Sequence, residues 1–204
     1  MAGLVSGESV AKTLVFNERL DGVLRKDGWR YILSGQFPDA AENTQRNRDF
    51  DLLDPRSRYT YEAITTSPRM TNPVIGKGQA YAGIFEDSDD ERLVGDRKYV
   101  MRFAKEPPAQ LFWSAVIYDV ESRSLIVNDA ENATVGNRST PKPQINDDGS
   151  VDLYFGPAVP PGAPTSNWLR TVPGKGWFTL LRLYSPTQPF FDQSWRPGDF
   201  EPLT

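Results

Sequence analysis

The sequence predicts a mainly β protein, an antiparallel β-sandwich or jelly roll with an N-terminal helical segment. Three observations predict it. From Tyr59 onward apolar residues recur with a period of two, whereas the earlier apolar residues recur every three to four. Turn chemistry interrupts the period-two runs repeatedly, and the 204 residues include 16 Gly and 17 Pro. Aromatic residues make up 12% of the chain, and such side chains fit half-buried pleated surfaces.

The elements follow in order. Ser9 to Lys26 reads as helix, because Val10, Leu14, Val15, Leu20, Val23 and Leu24 lie on a rough helical stripe that Gly28 ends. Asn17 followed by Glu18 offers a cap for a shorter second helix. Asp39 to Asp54 is polar and charged, either a surface helix or an ordered loop. The expected division is a helical segment over 1–58, packed on a jelly-roll domain over 59–204. Strands are predicted at Tyr59–Ile64, Gln79–Glu86, Lys98–Ala104, Leu111–Asp119, Ser124–Val127, Val151–Phe155 and Trp177–Tyr184. Leu111–Asp119 is apolar on both faces and should be an interior strand. The stretches 128–144 and 156–176 are long enough for connections that cross between sheets. The tail from Gln193, rich in Pro and Trp, is expected to lie across the surface.

Composition removes whole classes of chemistry. The chain has no Cys and no His, which excludes disulfides, thiolate nucleophiles, Ser-His-Asp catalysis and zinc motifs of the HExxH type. No metal and no cofactor are expected. Net charge is −4, and Lys and Arg are scattered singly, so no nucleic-acid footprint is expected. No apolar run reaches the ~20 residues of a membrane span. The opening residues lack a basic region followed by a long apolar core, so no signal peptide is read and the chain is cytoplasmic as written.

Local motifs have plain readings. Gly76-Lys77-Gly78 lacks a third glycine and a following helix, so it is a turn leading into a strand and no phosphate loop. The acidic run Glu86 to Glu91 lacks the glycine and distal glutamate of a calcium loop and reads as a solvated hairpin loop. Asn146 to Ser150 reads as a tight turn. The sequons at Asn132 and Asn137 matter only on a eukaryotic secretory route.

Three charged residues stand inside apolar strands and carry the functional reading. Arg102 lies within Tyr99–Phe103, Arg182 within Trp177–Tyr184, and Asp152 within Val151–Phe155. A charge so placed must be paired or must face a polar cavity. Two outcomes stay open. One Arg–Asp pair could satisfy both charges structurally. Alternatively Arg102, Arg182, Asp152, Tyr118 and Tyr154 converge on a cavity, with Asp152 as general acid or base, Tyr118 or Tyr154 as its partner, and the arginines binding a ligand oxygen. Trp113 and Trp168 complete the ligand-binding candidates, since aromatic faces bind sugars and other flat ligands. The expected function is therefore binding of a small organic or carbohydrate ligand, with acid–base turnover as an isomerase, cyclase, lyase or hydrolase. The alternative is a non-catalytic binding or assembly module, and a homo-oligomer is compatible with both.

The ordered motifs also carry a resemblance. Lys98-Tyr99-Val100-Met101-Arg102-Phe103, Pro107-Pro108, Phe112-Trp113-Ser114, Tyr118-Asp119, Asp148-Gly149-Ser150, Tyr154-Phe155-Gly156-Pro157, Asn167-Trp168-Leu169, Pro173-Gly174, Leu181-Arg182-Leu183-Tyr184 and Trp195-Arg196-Pro197 follow one another between residues 79 and 197. Together they resemble the bacterial domain-of-unknown-function 1214 family. The resemblance implies a jelly-roll β-sandwich. In that family the domain often follows a second uncharacterised β domain, so a stand-alone or excised member is expected. It implies no activity and no catalytic residues.

Overall fold

The computed structural model describes residues 30–31, 74–129 and 133–204. The expected helix over Ser9–Lys26, the polar stretch Asp39–Asp54, the strand Tyr59–Ile64 and the boundary at residue 58 lie outside the described residues. Among the described residues, nine strands form two sheets. The five-stranded sheet has the order β1-β2-β8-β4-β5, from Arg30–Tyr31, Gln79–Ile84, Trp177–Pro186, Ala109–Asp119 and Thr134–Gly136. The four-stranded sheet has the order β7-β6-β3-β9, from Trp168–Arg170, Val151–Gly156, Lys98–Phe103 and Pro197–Leu203. All pairings are antiparallel except β6 with β7.

The two sheets pack face to face through side chains that alternate along each strand. Ala80, Ala82, Ile84, Trp113, Ala115, Ile117, Leu181 and Leu183 point inward from one sheet. Tyr99, Met101, Phe103, Val151, Leu153, Phe155, Leu169 and Phe200 meet them from the other. Aromatic rings bridge the layers. Trp177 stacks on Phe155 at 5.3 Å and meets Tyr99 and Phe200 edge-on at 5.8 and 5.3 Å, while Phe103 meets Trp113 edge-on at 5.5 Å. The interior is filled by apolar side chains.

Five predicted strands fall within a few residues of observed ones, because each alternates strongly. Ser124–Val127 does not form a strand; Leu125 makes a single bridge to Tyr118, Ile126 tucks inward, and Val127 stays exposed. The tail is corrected too. It ends in β9, which pairs with β3 and buries Phe200 completely, and Trp195 joins the core. Pro197 and Pro202 hid this strand in the sequence, yet proline is tolerated on an edge strand, and β9 is an edge. The acidic run does form a hairpin loop, closed by the Glu86–Arg92 bridge. Its Asp87 is buried, however, and Oδ1 accepts the N–H groups of Asp89 and Glu91, each at 3.0 Å. Gly95 marks the tightest backbone approach: a Cβ there would stand 1.9 Å from the Val172 carbonyl oxygen.

Candidate functional site

Alternation on β3 and β6 decides which side chains leave the core. Met101 and Phe103 are buried, so Lys98, Val100 and Arg102 face outward. Leu153 and Phe155 are buried, so Asp152, Tyr154 and the Cα hydrogens of Gly156 face outward on the neighbouring strand. Register places Arg102 directly beside Asp152 and Tyr154 beside Val100. On the other flank, Trp168 of β7 lies beside Tyr154. The outer face of the four-stranded sheet therefore collects Arg102, Asp152, Tyr154 and Trp168.

The Arg–Asp pair forms here, in fork geometry. Arg102 Nε donates to Asp152 Oδ1 at 2.6 Å, and Nη2 donates to Oδ2 at 2.9 Å. Asn146 Nδ2 adds a bond to Oδ2 at 3.0 Å and another to Ser150 Oγ at 2.9 Å. The Asp152 side chain is 14% exposed against 59% for Arg102, so the guanidinium reaches over the carboxylate toward solvent. The Arg102 bonds, aided by Asn146, outweigh partial burial and hold Asp152 below the ordinary aspartate range. Arg102 is held more firmly protonated by the same bonds. Burial, then the Asp152 charge, push the Tyr154 phenol up, with Arg102 opposing them. Trp168 is anchored by its indole N–H, which donates to the Gly156 carbonyl at 3.1 Å.

Asn167 fixes this face from beneath. It is 2% exposed, donates to the carbonyls of Gln144 and Asp152 at 2.9 and 2.8 Å, and accepts the Gln144 N–H at 2.7 Å. It ties the connection before β6 to the residue preceding Trp168. The sequence reading placed Asn146 in a tight turn and Asn167 in a family motif but gave neither a role at this face, since an Asn within a polar loop carries no periodic signal.

The other candidates stand elsewhere. Arg182 alternates with buried Leu181 and Leu183, so it faces outward from the five-stranded sheet. There its guanidinium donates to the Tyr118 hydroxyl and lies 5.7 Å from the Tyr118 ring centre and 6.0 Å from that of Tyr81. Burial pushes the Tyr118 phenol up, and Arg182 opposes it. Asp152 and Arg182 thus project from opposite outer faces with the packed core between them. The expected convergence of Arg102, Tyr118, Asp152, Tyr154 and Arg182 on one cavity does not occur. Alternation had grouped residues within each strand without saying which group pointed inward. Trp113 also leaves the site. It is 1% exposed, packs on Phe103, and donates its indole N–H to Glu106 at 2.9 Å. Asp119, at the end of β4, is a turn cap: it accepts the N–H groups of Glu121 and Ser122 and pairs with Lys175 at 2.8 Å. No group of three or more acidic side chains among the described residues is arranged to hold a metal ion. No described helix is long and apolar enough to cross a membrane.

These features define a two-sheet β-sandwich with a filled interior and a polar–aromatic cluster on one outer face. The chain belongs to the family described as "Protein of unknown function (DUF1214)", whose model matches residues 78–188. The crystal structure of the VPA0106 protein from Vibrio parahaemolyticus is similar in fold. It is 24% identical, with a TM-score of 0.57 over 74% of this chain and 35% of that one. The present chain therefore spans about a third of that protein's length. An uncharacterised protein from Burkholderia cenocepacia aligns at 14% identity and a TM-score of 0.48, over 74% of this chain and 40% of that one. No curated protein matches the chain significantly.

Proposed function

We propose that the chain is a binding module that takes a small carbohydrate or similar ring-bearing organic ligand on the outer face of β7-β6-β3, without turning it over. The observation that carries this reading is the juxtaposition of Tyr154 and Trp168 with the Arg102–Asp152 fork on one sheet face. Aromatic side chains supply flat apolar contact for a ring, and the fork supplies directional donors and acceptors beside it. Among the described residues, the space between the sheets is packed with apolar side chains, which supports the outer face as the place for a ligand. Acid–base turnover draws less support. Both oxygens of Asp152 are committed to Arg102, and a carboxylate held below its ordinary range is a poor base and holds no proton at neutral pH. We also read the wrapping as a jelly roll, supported by successive strands that move from β2 to β3 to β4, and from β7 to β8 to β9, between the two sheets.

The test is a thermal-shift screen against sugars, short oligosaccharides and small organic acids, followed by calorimetry. A true ligand at a hundredfold excess over Kd stabilises by about 2.7 kcal/mol. For a domain of this size that is a rise of roughly 5–10 °C. The rise should vanish in Trp168→Ala while the far-ultraviolet spectrum stays unchanged. No stabilisation by any panel member, or stabilisation that survives both Trp168→Ala and Tyr154→Ala, overturns the reading.

A further inference from the structure

The same face has a second end, built around Gly156. Arg170 of β7 pairs with this glycine, and Lys98 of β3, one step beyond the Tyr99–Phe155 pair, lies against it; both alternate with buried residues, so both face outward with Trp168 and Tyr154. The strand spacing puts their Cα atoms roughly 10 Å apart, within reach of two long cationic side chains. Gly156 also determines how Lys98 lies. A Cβ on residue 156 would come within 2.9 Å of Lys98 Cγ, so the lysine stem occupies the space above the glycine and leans across β6. A stem so placed lets the ammonium reach toward Arg170 and toward the Trp168 indole, itself tied to the Gly156 carbonyl.

Among the described residues the charges at this end are not neutralised. Among the described residues Lys98 has no ion-pair partner, in contrast to Arg102. Among the same residues Arg170 pairs with Asp129 alone, at 4.0 Å, and that aspartate is 96% exposed. So open a pair is weak and readily exchanged for another carboxylate. Glu201 of β9 lies beside Val100, on the side of β3 away from Gly156 and β7. The Gly156 end is thus locally cationic on a chain of net charge −4.

We propose that Lys98 and Arg170 form a carboxylate-binding subsite, and that the ligand of this face is an acidic saccharide of the uronate type. Its ring rests on Trp168 and Tyr154, and its carboxylate lies between the two cations above Gly156. This rests on the reading of the face as a ring-binding site and adds the chemical class.

The experiment is isothermal calorimetry with galacturonate oligomers and with galactose oligomers of equal length. Both are titrated into the wild type, Lys98→Gln and Trp168→Ala at low and moderate salt, with circular dichroism confirming each fold. The expected result is binding of the acidic oligomers at least tenfold tighter than the neutral ones. Lys98→Gln should lose about tenfold for the acidic series alone, as expected for one charge-assisted contact, and added salt should reproduce that loss. Trp168→Ala should weaken both series. Equal affinities for the two series, unchanged in Lys98→Gln but lost in Trp168→Ala, overturn the acidic subsite and leave the ring-binding face standing. Binding of neither series, or binding indifferent to Trp168→Ala, overturns both.

Discussion

Two adjacent residues on β6 should respond to mutation in opposite ways. Phe155 points inward, is fully buried, stacks on Trp177 at 5.3 Å and meets Phe200 edge-on at 4.7 Å. Truncation to alanine removes a ring that bridges the two sheets and leaves a void that the neighbouring indole cannot fill without leaving its own contacts. Phe→Ala at such a site costs about 3–5 kcal/mol. That is a large share of the roughly 5–15 kcal/mol that holds a domain together. Tyr154 points outward, and Tyr154→Phe removes only a hydroxyl that has no hydrogen-bond partner among the described residues. Its effect on stability should stay within about 0.5 kcal/mol. Urea unfolding followed by tryptophan fluorescence measures both. Phe155→Ala should move the midpoint down by about 1 M or more with an unchanged slope. A cost for Phe155→Ala below about 1.5 kcal/mol would mean that the interior is loosely packed or wet. A loose interior would offer a ligand room between the sheets instead of on the outer face.

Other outcomes follow from the same geometry. Arg182→Ala should cost about 1–3 kcal/mol, from one charge-assisted bond to Tyr118 and two cation–π contacts; this is below the loss expected of a broken buried ion pair, and a cost above about 4 kcal/mol by urea unfolding would require an acidic partner. Asp152, held low by Arg102, stabilises the folded state above the unfolded aspartate value of about 3.9 and loses that contribution as pH falls through its lower folded value. Asp152→Asn should therefore be less stable than wild type at pH 7, with the difference narrowing in acid; parallel urea midpoints from pH 7 down to 2.5 would contradict the pairing. Gly95→Ala places a Cβ 1.9 Å from the backbone oxygen of Val172 and should abolish soluble expression or lower the melting temperature drastically, whereas an unchanged melting curve would contradict the close packing of these two loops.

Much of this fold was legible in the sequence, and the reason is visible strand by strand. In β3 the set Tyr99, Met101 and Phe103 is wholly apolar while Lys98, Val100 and Arg102 is mixed, so both the strand and its inner face can be read. In β8 the outer set contains Phe178, Leu180 and Tyr184 beside Arg182, almost as apolar as the inner set, and the inner face stayed ambiguous. That ambiguity allowed Arg182 and Asp152 to be joined in one expected cavity. The short strands Thr134–Gly136 and Trp168–Arg170 hold three residues each, too few for a period to register. Trp168 was singled out as an aromatic, yet its place beside Tyr154 depends on a parallel pairing formed across the loop that Asn167 staples. Long-range register of that kind has no local signature.

The central claim is that ligand is held on the outer face beside Trp168 and not between the sheets. The most direct measurement is a nitrogen–proton correlation spectrum of the five tryptophan indoles, assigned by single Trp→Phe variants and recorded while galacturonate oligomers are added. The account predicts a saturable shift of the Trp168 indole N–H, with Trp113 and Trp177 unmoved in the packed interior. Saturable shifts of Trp113 or Trp177 with Trp168 unmoved would place the ligand inside the sandwich and contradict it.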